Sequence, residues 1–222
     1  PAMPLPFVLY TLSSQTNQGK RPSPETKPTI INAADFGADG DDAVDDTAAI
    51  QAALDKAGKA PGVAVVQLGR GRFFVTSQLS IPPHTMLRGA GQELTALCIP
   101  DTDDPPDAWI KGSHHFAISD LTLYCSNHKH IIAGDMSGTS DKSGYVLLSK
   151  VRVRGDTFRG HLKPEELDAR LRAMLRLSTG GGDTVRFSGP SVYVVNCDLY
   201  GSGRSIYFYH VWTGAVLNNN LY

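Results

Sequence analysis

Apolar residues in this chain come in short bursts separated by Gly, Pro and polar turns. After residue 29 only one stretch has a clear helical rhythm. Ile50, Ala53, Leu54 and Ala57 fall at i, i+3, i+4 and i+7 and give one apolar face, and Gly58 and Pro61-Gly62 end it, so a helix is expected from Asp46 to Ala57. "TIINAADFG" before it reads as a short strand, and "VAVVQL", "RFFVTSQLSI" and "HTMLRGAG" after it read as further strands. Residues 1–28 differ in texture: a short apolar run, "LPFVLYTL", expected to be a strand, then a linker rich in Pro, Ser, Thr and Lys. The main domain is therefore placed at 29–222, with 1–28 as an N-terminal strand and linker.

Four later segments look alike: "AISDLTLYCSN", "LLSKVRVRGDT", "VVNCDLYGSG" and "VLNNNLY". Taking Ser119, Ser149, Asn196 and Asn218 as equivalent points gives spacings of 30, 47 and 22 residues. The last is one coil of a solenoid, and the others are such a coil plus insertions. Two insertions are visible. "GDMSGTSDKSG" (134–144) is a polar loop, and "KPEELDARLRAMLRL" (163–177) is an amphipathic helix with Pro164, Glu165 and Glu166 in its first turn. Short strands carried in a repeating unit predict a parallel β-solenoid, each coil burying its inward residues against its neighbours. The Asn218–Asn220 run is expected at a solenoid turn, since Asn tolerates a left-handed backbone. The last repeat stops at Tyr222 without a closing coil, so the solenoid is expected to continue in a longer or second chain.

Composition narrows the function. Twenty-one basic and 22 acidic residues nearly cancel, which gives no electrostatic footprint for nucleic acid or an anionic membrane. No run nears the ~20 apolar residues of a membrane span, and no basic-then-apolar secretory leader opens the sequence. Cys98, Cys125 and Cys197 are sparse and far apart, which argues for buried thiols over a disulfide framework or a zinc site. Five aspartates crowd between Asp39 and Asp46. They do not fit a calcium loop of the EF-hand type, because a frame starting at Asp39 places Ala43, Val44 and Ile50 where ligand, Gly and Glu are needed. Capping of the helix by Asp45 or Asp46 accounts for them better. "STGGGDTVRFSG" lacks the Gly-Lys-Ser/Thr ending of a phosphate loop, and Asp198 is expected at a turn or edge.

"INAADFGADGDDAVDDTAAIQAALDKAG", followed by "VAVVQLGRGRFFVTSQLSIPPHTMLRGAG", resembles the opening of the pectate-lyase-like (pectin-lyase-fold) superfamily, with the polygalacturonase and glycoside-hydrolase-related members closest in pattern. The resemblance implies an all-β, right-handed parallel β-helix whose open end is capped by the predicted helix, with one inserted helix. It also implies an extracellular or periplasmic protein that acts on a polysaccharide. The chain departs from the polygalacturonase pattern at one place: "NCDLYGSGRSIYFYHVWTGAVLNNN" has Gly203-Arg204-Ser205 where those enzymes carry paired aspartates. A polygalacturonase mechanism is not supported by these residues.

Sites on this fold, the resemblance implies, lie along one outer sheet. In "GRSIYFYHV", Ile206 and Phe208 read as inward, and Ser205, Tyr207 and Tyr209 as outward, the tyrosines suited to stacking on sugars. Arg204 could clamp a uronate carboxylate and His210 serve as a base, although its inward parity also fits a core or turn histidine. His128, Lys129 and His130, expected one coil earlier on the same sheet, could line the groove, and with Asp135 they could hold a metal. Arg176, with Arg170 and Arg172 on the inserted helix, could contact an acidic glycan. The expected function is polysaccharide cleavage, by glycoside hydrolysis or as a lyase by β-elimination from a uronic acid. The alternatives are a tailspike-like glycan-binding module and a C5-epimerase. No cofactor is firmly indicated, and calcium enters only if the enzyme is a lyase.

Overall fold

The computed structural model describes residues 27–102, 104–125, 128–134, 144–155, 183–201 and 204–222. The segments expected as the N-terminal strand, the polar loop and the inserted helix, with Asp135 and Arg176, lie outside these residues.

The described chain is a parallel β-helix with three sheets. Sheet I holds β1 (Thr29–Asn32), β2 (Ala64–Gln67), β5 (Thr85–Arg88) and the first halves of β8 (Phe116–Cys125) and β10 (Tyr145–Arg154). It continues with the second halves of β11 (Asp183–Val195) and β13 (Ile206–Leu217). Sheet II holds β3 (Gly71–Phe74), β6 (Thr95–Ile99), the second halves of β8 and β10, β12 (Asp198–Tyr200) and β14 (Asn220–Leu221). Sheet III holds β4 (Leu79–Ile81), β7 (Ala108–Gly112), β9 (His130–Gly134) and the first halves of β11 and β13. Every pairing is parallel, so each strand lies directly over the equivalent strand of the next coil, and inward side chains stack in columns.

The columns make the core. Val66, Leu87, Ile118, Leu148 and Val194 line it from sheet I, and Leu97, Leu123, Val153 and Leu199 from sheet II. Sheet III supplies Ile110, Ile132 and Val185, then Phe187 and Phe208, whose rings stack 6.4 Å apart. Phe116 meets Phe187 edge-on at 6.1 Å. It fits because its neighbours are Gly112 and Gly134: a Cβ on either would sit 2.6 or 2.8 Å from the ring. The alternate residues of sheet I are also buried. Val65, Met86, Ala117, Tyr145 and Leu147 form a second apolar cluster on its other face. A sheet covered on both faces explains why "VAVVQL" and "YVLLS" read as continuous apolar runs.

The N-terminal end is closed by α1 (Thr47–Ala57), whose Ile50, Ala53, Leu54 and Ala57 are buried as predicted. The aspartates do less capping and more tying than expected. Asp45 Oδ1 accepts the Thr47 N–H at 3.0 Å and Oδ2 accepts the Thr76 hydroxyl at 2.7 Å. Asp46 stands at the N-cap but makes no cap bond to the helix. Its carboxylate accepts the N–H groups of Asp39 at 2.8 Å and Phe74 at 3.0 Å, joining the aspartate turn to β3. The cluster is structural, and its reach is across the fold. Cys125 and Cys197 are buried and Cys98 is half-buried, and all three are free thiols.

The repeat register needs a correction. Ser119 pairs with Ser149, but Ser149 pairs with Val195, and Val195 with Leu217. The equivalent turn residues are therefore Asp120, Lys150, Asn196 and Asn218, all with φ between 53° and 57°. These residues make a one-residue corner between sheets I and II. Asn219 secures the last corner by accepting from Cys197 N at 2.7 Å and donating to Val194 O at 2.9 Å. Asp198 is neither turn nor edge. It lies within β12, where its Oδ2 accepts from Arg154 at 2.7 Å.

Candidate functional site on the third sheet

Parallel register brings sheet III residues from distant parts of the sequence into one outer column. Ser80 pairs with Lys111, Lys111 with Ala133, Ala133 with Arg186, and Arg186 with Tyr207. Tyr209 follows on the same strand, its ring stacked on Tyr207 at 5.9 Å. The guanidinium of Arg186 lies over both rings, 5.1 Å from Tyr207 and 4.8 Å from Tyr209. Arg204 lies over the same Tyr207 at 3.9 Å. The outward reading of both tyrosines holds because Ile206 and Phe208, which alternate with them, pack on the core.

Where these strands begin, a buried carboxylate organises the cations. Asp183 is fully buried and starts β11, in register with His130 at the start of β9. Arg204 grips it with two bonds, Nε to Oδ1 at 2.5 Å and Nη2 to Oδ2 at 3.2 Å. Arg186 Nη1 approaches the same Oδ2 at 3.5 Å. Bidentate Arg–carboxylate geometry fixes orientation as well as charge. It leaves Arg204, with half its side chain exposed, as a rigid plate against Tyr207.

His130 is held differently. Its Nδ1 accepts the Asp183 backbone N–H at 3.3 Å, so its proton sits on Nε2. Burial is the main influence on its basicity and pulls it below the ordinary range, with Asp183 opposing. With Nδ1 accepting, the ring offers Nε2–H as a donor. His128 beside it is buried, and desolvation lowers its pKa from 6.5 to about 4. Lys129 is partly exposed and donates to Asp107 at 3.1 Å. It also lines a cleft of about 430 Å³ with Thr76, Gln78, Thr102, Asp104 and Trp109. Thr76–Gln78 lie just before β4, Asp104–Trp109 run into β7, and Lys129 precedes β9. Cleft and Asp183 cluster therefore share the strand-start edge of sheet III.

Of the sequence candidates, Arg204, Tyr207, Tyr209 and His130 converge, and Lys129 flanks them along that edge. Two placements differ from expectation. His128–His130 lie two coils before Tyr207, because β11 runs between β9 and β13. His210 is not inward. It is exposed at φ 51°, the extra residue of a bulge where Ser188 pairs with Tyr209 but Gly189 pairs with Val211. Its ring stands edge-on to Tyr209 at 5.7 Å, so it borders the site. Sequence reasoning missed Asp183, Arg186 and Lys111. The alternation in "DTVRFS" marks Arg186 as outward between Val185 and Phe187, but only the register sets it beside Tyr207. Among the described residues, no group of three His, Cys, Asp or Glu is placed to hold a metal ion.

Residues 30–101 match the family model described as "Rhamnogalacturonase A/epimerase, pectate lyase-like". Among curated proteins, the chain is 38% identical to mannuronan C5-epimerase AlgE3 of Azotobacter vinelandii, over 56% of this chain and 8% of the epimerase. It is 37% identical to alginate lyase 7 of the same organism, over 41% of this chain and 12% of the lyase. Among solved structures, the A-module of mannuronan C5-epimerase AlgE4 superposes with a TM-score of 0.57 at 20% identity, covering 85% of this chain and 50% of that module. The chain thus spans about half of that module and about a tenth of the curated relatives. The coiled architecture and the capped N-terminal end agree with these matches: the chain folds as a parallel β-helix, and its residues 30–101 carry the pectate-lyase-like match.

Proposed function

We propose that this protein acts on a uronate-containing polysaccharide of the alginate type by removing the proton at C5, as a lyase or an epimerase. One observation carries the reading. The outer face of sheet III presents Arg186 and Arg204 over two stacked tyrosines, with Lys111 three coils from Tyr207 in the same column, while its buried carboxylate, Asp183, is bound by both guanidiniums. Hydrolysis needs two carboxyl groups facing the scissile bond, one of them able to give a proton. A carboxylate gripped by two arginines does neither. Proton abstraction next to a uronate needs its carboxylate neutralised, a base at C5 and a donor for the sugar oxygens. In this reading the cations neutralise the uronate, His130 donates from Nε2, and Tyr207 or Tyr209 is the proposed base. The negative charge that builds up as the proton leaves falls on the uronate carboxylate, which Arg186 and Arg204 can stabilise. The two curated relatives named above are an epimerase and a lyase of this chemistry, which supports the same class. An extracellular or periplasmic site of action goes with a polymeric substrate.

The test is to incubate the purified protein with mannuronate-rich, guluronate-rich and neutral polymers, and to follow proton NMR and ultraviolet absorbance together. Changed uronate signals without chain breaks would identify an epimerase, and unsaturated ends a lyase. New reducing ends without unsaturation would overturn the proposal. Arg186→Ala should abolish either activity while leaving the protein folded.

A further inference from the structure

A second ordered row of side chains runs up the opposite flank of the solenoid, on the outer face of sheet II. Phe74, Cys98, Tyr124, Arg154 and Tyr200 are register partners in five successive coils. Tyr222 follows, its ring 6.0 Å from that of Tyr200. Coils are ~4.8 Å apart, so Tyr124 and Tyr200 flank Arg154 about 10 Å from each other along the axis. Tyr124 is 48% exposed and Tyr222 66%. The parallel column two residues earlier contains Arg72, Arg152 and Asp198.

The cations are arranged to stay put and still be reached. Arg154 is pinned by Nη2 to Asp198 at 2.7 Å and by Nη1 to its own strand at the Val153 carbonyl, 3.2 Å away. Asp198 is shared with Arg152 at 3.5 Å. The other partner of Arg152, Glu93, leaves 74% of its side chain in solvent, so that pair is weak and open to exchange. Among the described residues, Asp198 Oδ1 has no hydrogen-bond partner, and Arg152 Nε has only its 3.5 Å ion pair with Asp198 Oδ2. Tyrosine faces at coil spacing, with a fixed guanidinium between them, match a chain of flat-faced rings bearing carboxylates.

From the alignment of Tyr124, Arg154 and Tyr200 along sheet II, we infer a second, non-catalytic binding surface that holds an acidic polysaccharide strand along the solenoid axis. This surface rests on the uronate reading above for the identity of the polymer. It would keep a long chain on the protein while sheet III works on one stretch of it. It adds nothing for an oligomer too short to reach both sheets.

The test is affinity electrophoresis in gels containing polymannuronate, with a neutral β-glucan as the control polymer, alongside turnover of short mannuronate oligomers. The Tyr124→Ala/Tyr200→Ala variant should bind the long polymer about tenfold more weakly and turn over short oligomers at the wild-type rate. Tyr124→Phe/Tyr200→Phe, which keeps the rings, should retain most of the binding. Unchanged retention in a double-alanine variant with a wild-type melting temperature would overturn the inference. Equal retention on the neutral polymer would overturn the acidic class of ligand. Retention lost with turnover intact supports this surface. Retention that depends on Tyr124 and Tyr200 in a protein that turns over no uronate polymer keeps the surface and removes the catalytic reading.

Discussion

Arg204 and Asp183 allow the site to be tested through stability, without knowing the substrate. Arg204→Ala removes both short bonds to a fully buried carboxylate. Stripping the partner from a buried charge costs about 3–5 kcal/mol when nothing replaces it. Arg186 remains at 3.5 Å, so a loss of ~2–4 kcal/mol is expected. With an m-value of about 2 kcal/mol/M, the urea midpoint should fall by roughly 1–2 M. Asp183→Asn alone should cost less, because it leaves the two partly exposed arginines free to hydrate. In Asp183→Asn/Arg204→Ala the penalties should not add, since the charge that Arg204 served is gone. Urea unfolding of the four proteins, followed by far-ultraviolet circular dichroism, gives the cycle. An Arg204→Ala midpoint equal to wild type would refute the reasoning, as would a double variant that loses the full sum of the singles.

Three further outcomes follow from particular contacts. His128 has a folded pKa lowered from 6.5 to about 4, so the unfolded chain takes up the proton first. Its contribution is complete above pH 6.5 and fades as pH falls through about 4, by roughly 3 kcal/mol. His128→Gln should flatten stability measured across that window, and an unchanged slope would count against a buried neutral imidazole. Asp46→Ala strands the Phe74 N–H and releases the exposed Asp39 N–H, costing ~2–3 kcal/mol. Asp45→Ala should cost about 1 kcal/mol. Thermal melts of both should show that order, with activity per folded molecule retained. Gly134→Ala should cost ~1–3 kcal/mol because its Cβ meets the Phe116 ring at 2.8 Å. Gly69→Ala, with nothing within 4 Å, should stay within about 0.5 kcal/mol of wild type. Equal melting temperatures for these two variants would contradict the packing described for Phe116.

Sequence alone determined the coiled class of fold and the end at which it is capped. Both depend on short-range periodicity: apolar alternation at strand spacing, a helical face at Ile50, Ala53, Leu54 and Ala57, and turn residues between them. It also marked Tyr207 and Tyr209 as outward, because Ile206 and Phe208 alternate with them. What it could not determine was which residues share a column. The corner between sheets I and II needs a left-handed residue, and Asn196 and Asn218 advertise it, but Lys150 does the same job without the signal. The repeat was therefore set one residue off at Ser119 and Ser149. The bulge at His210 likewise reversed a parity that alternation alone assigns. Only the stacking of coils joined Asp183, Arg186 and Lys111 to Arg204 and Tyr207. In a parallel solenoid a functional surface is assembled across the coil repeat, and insertions change that repeat in sequence while leaving it constant in space.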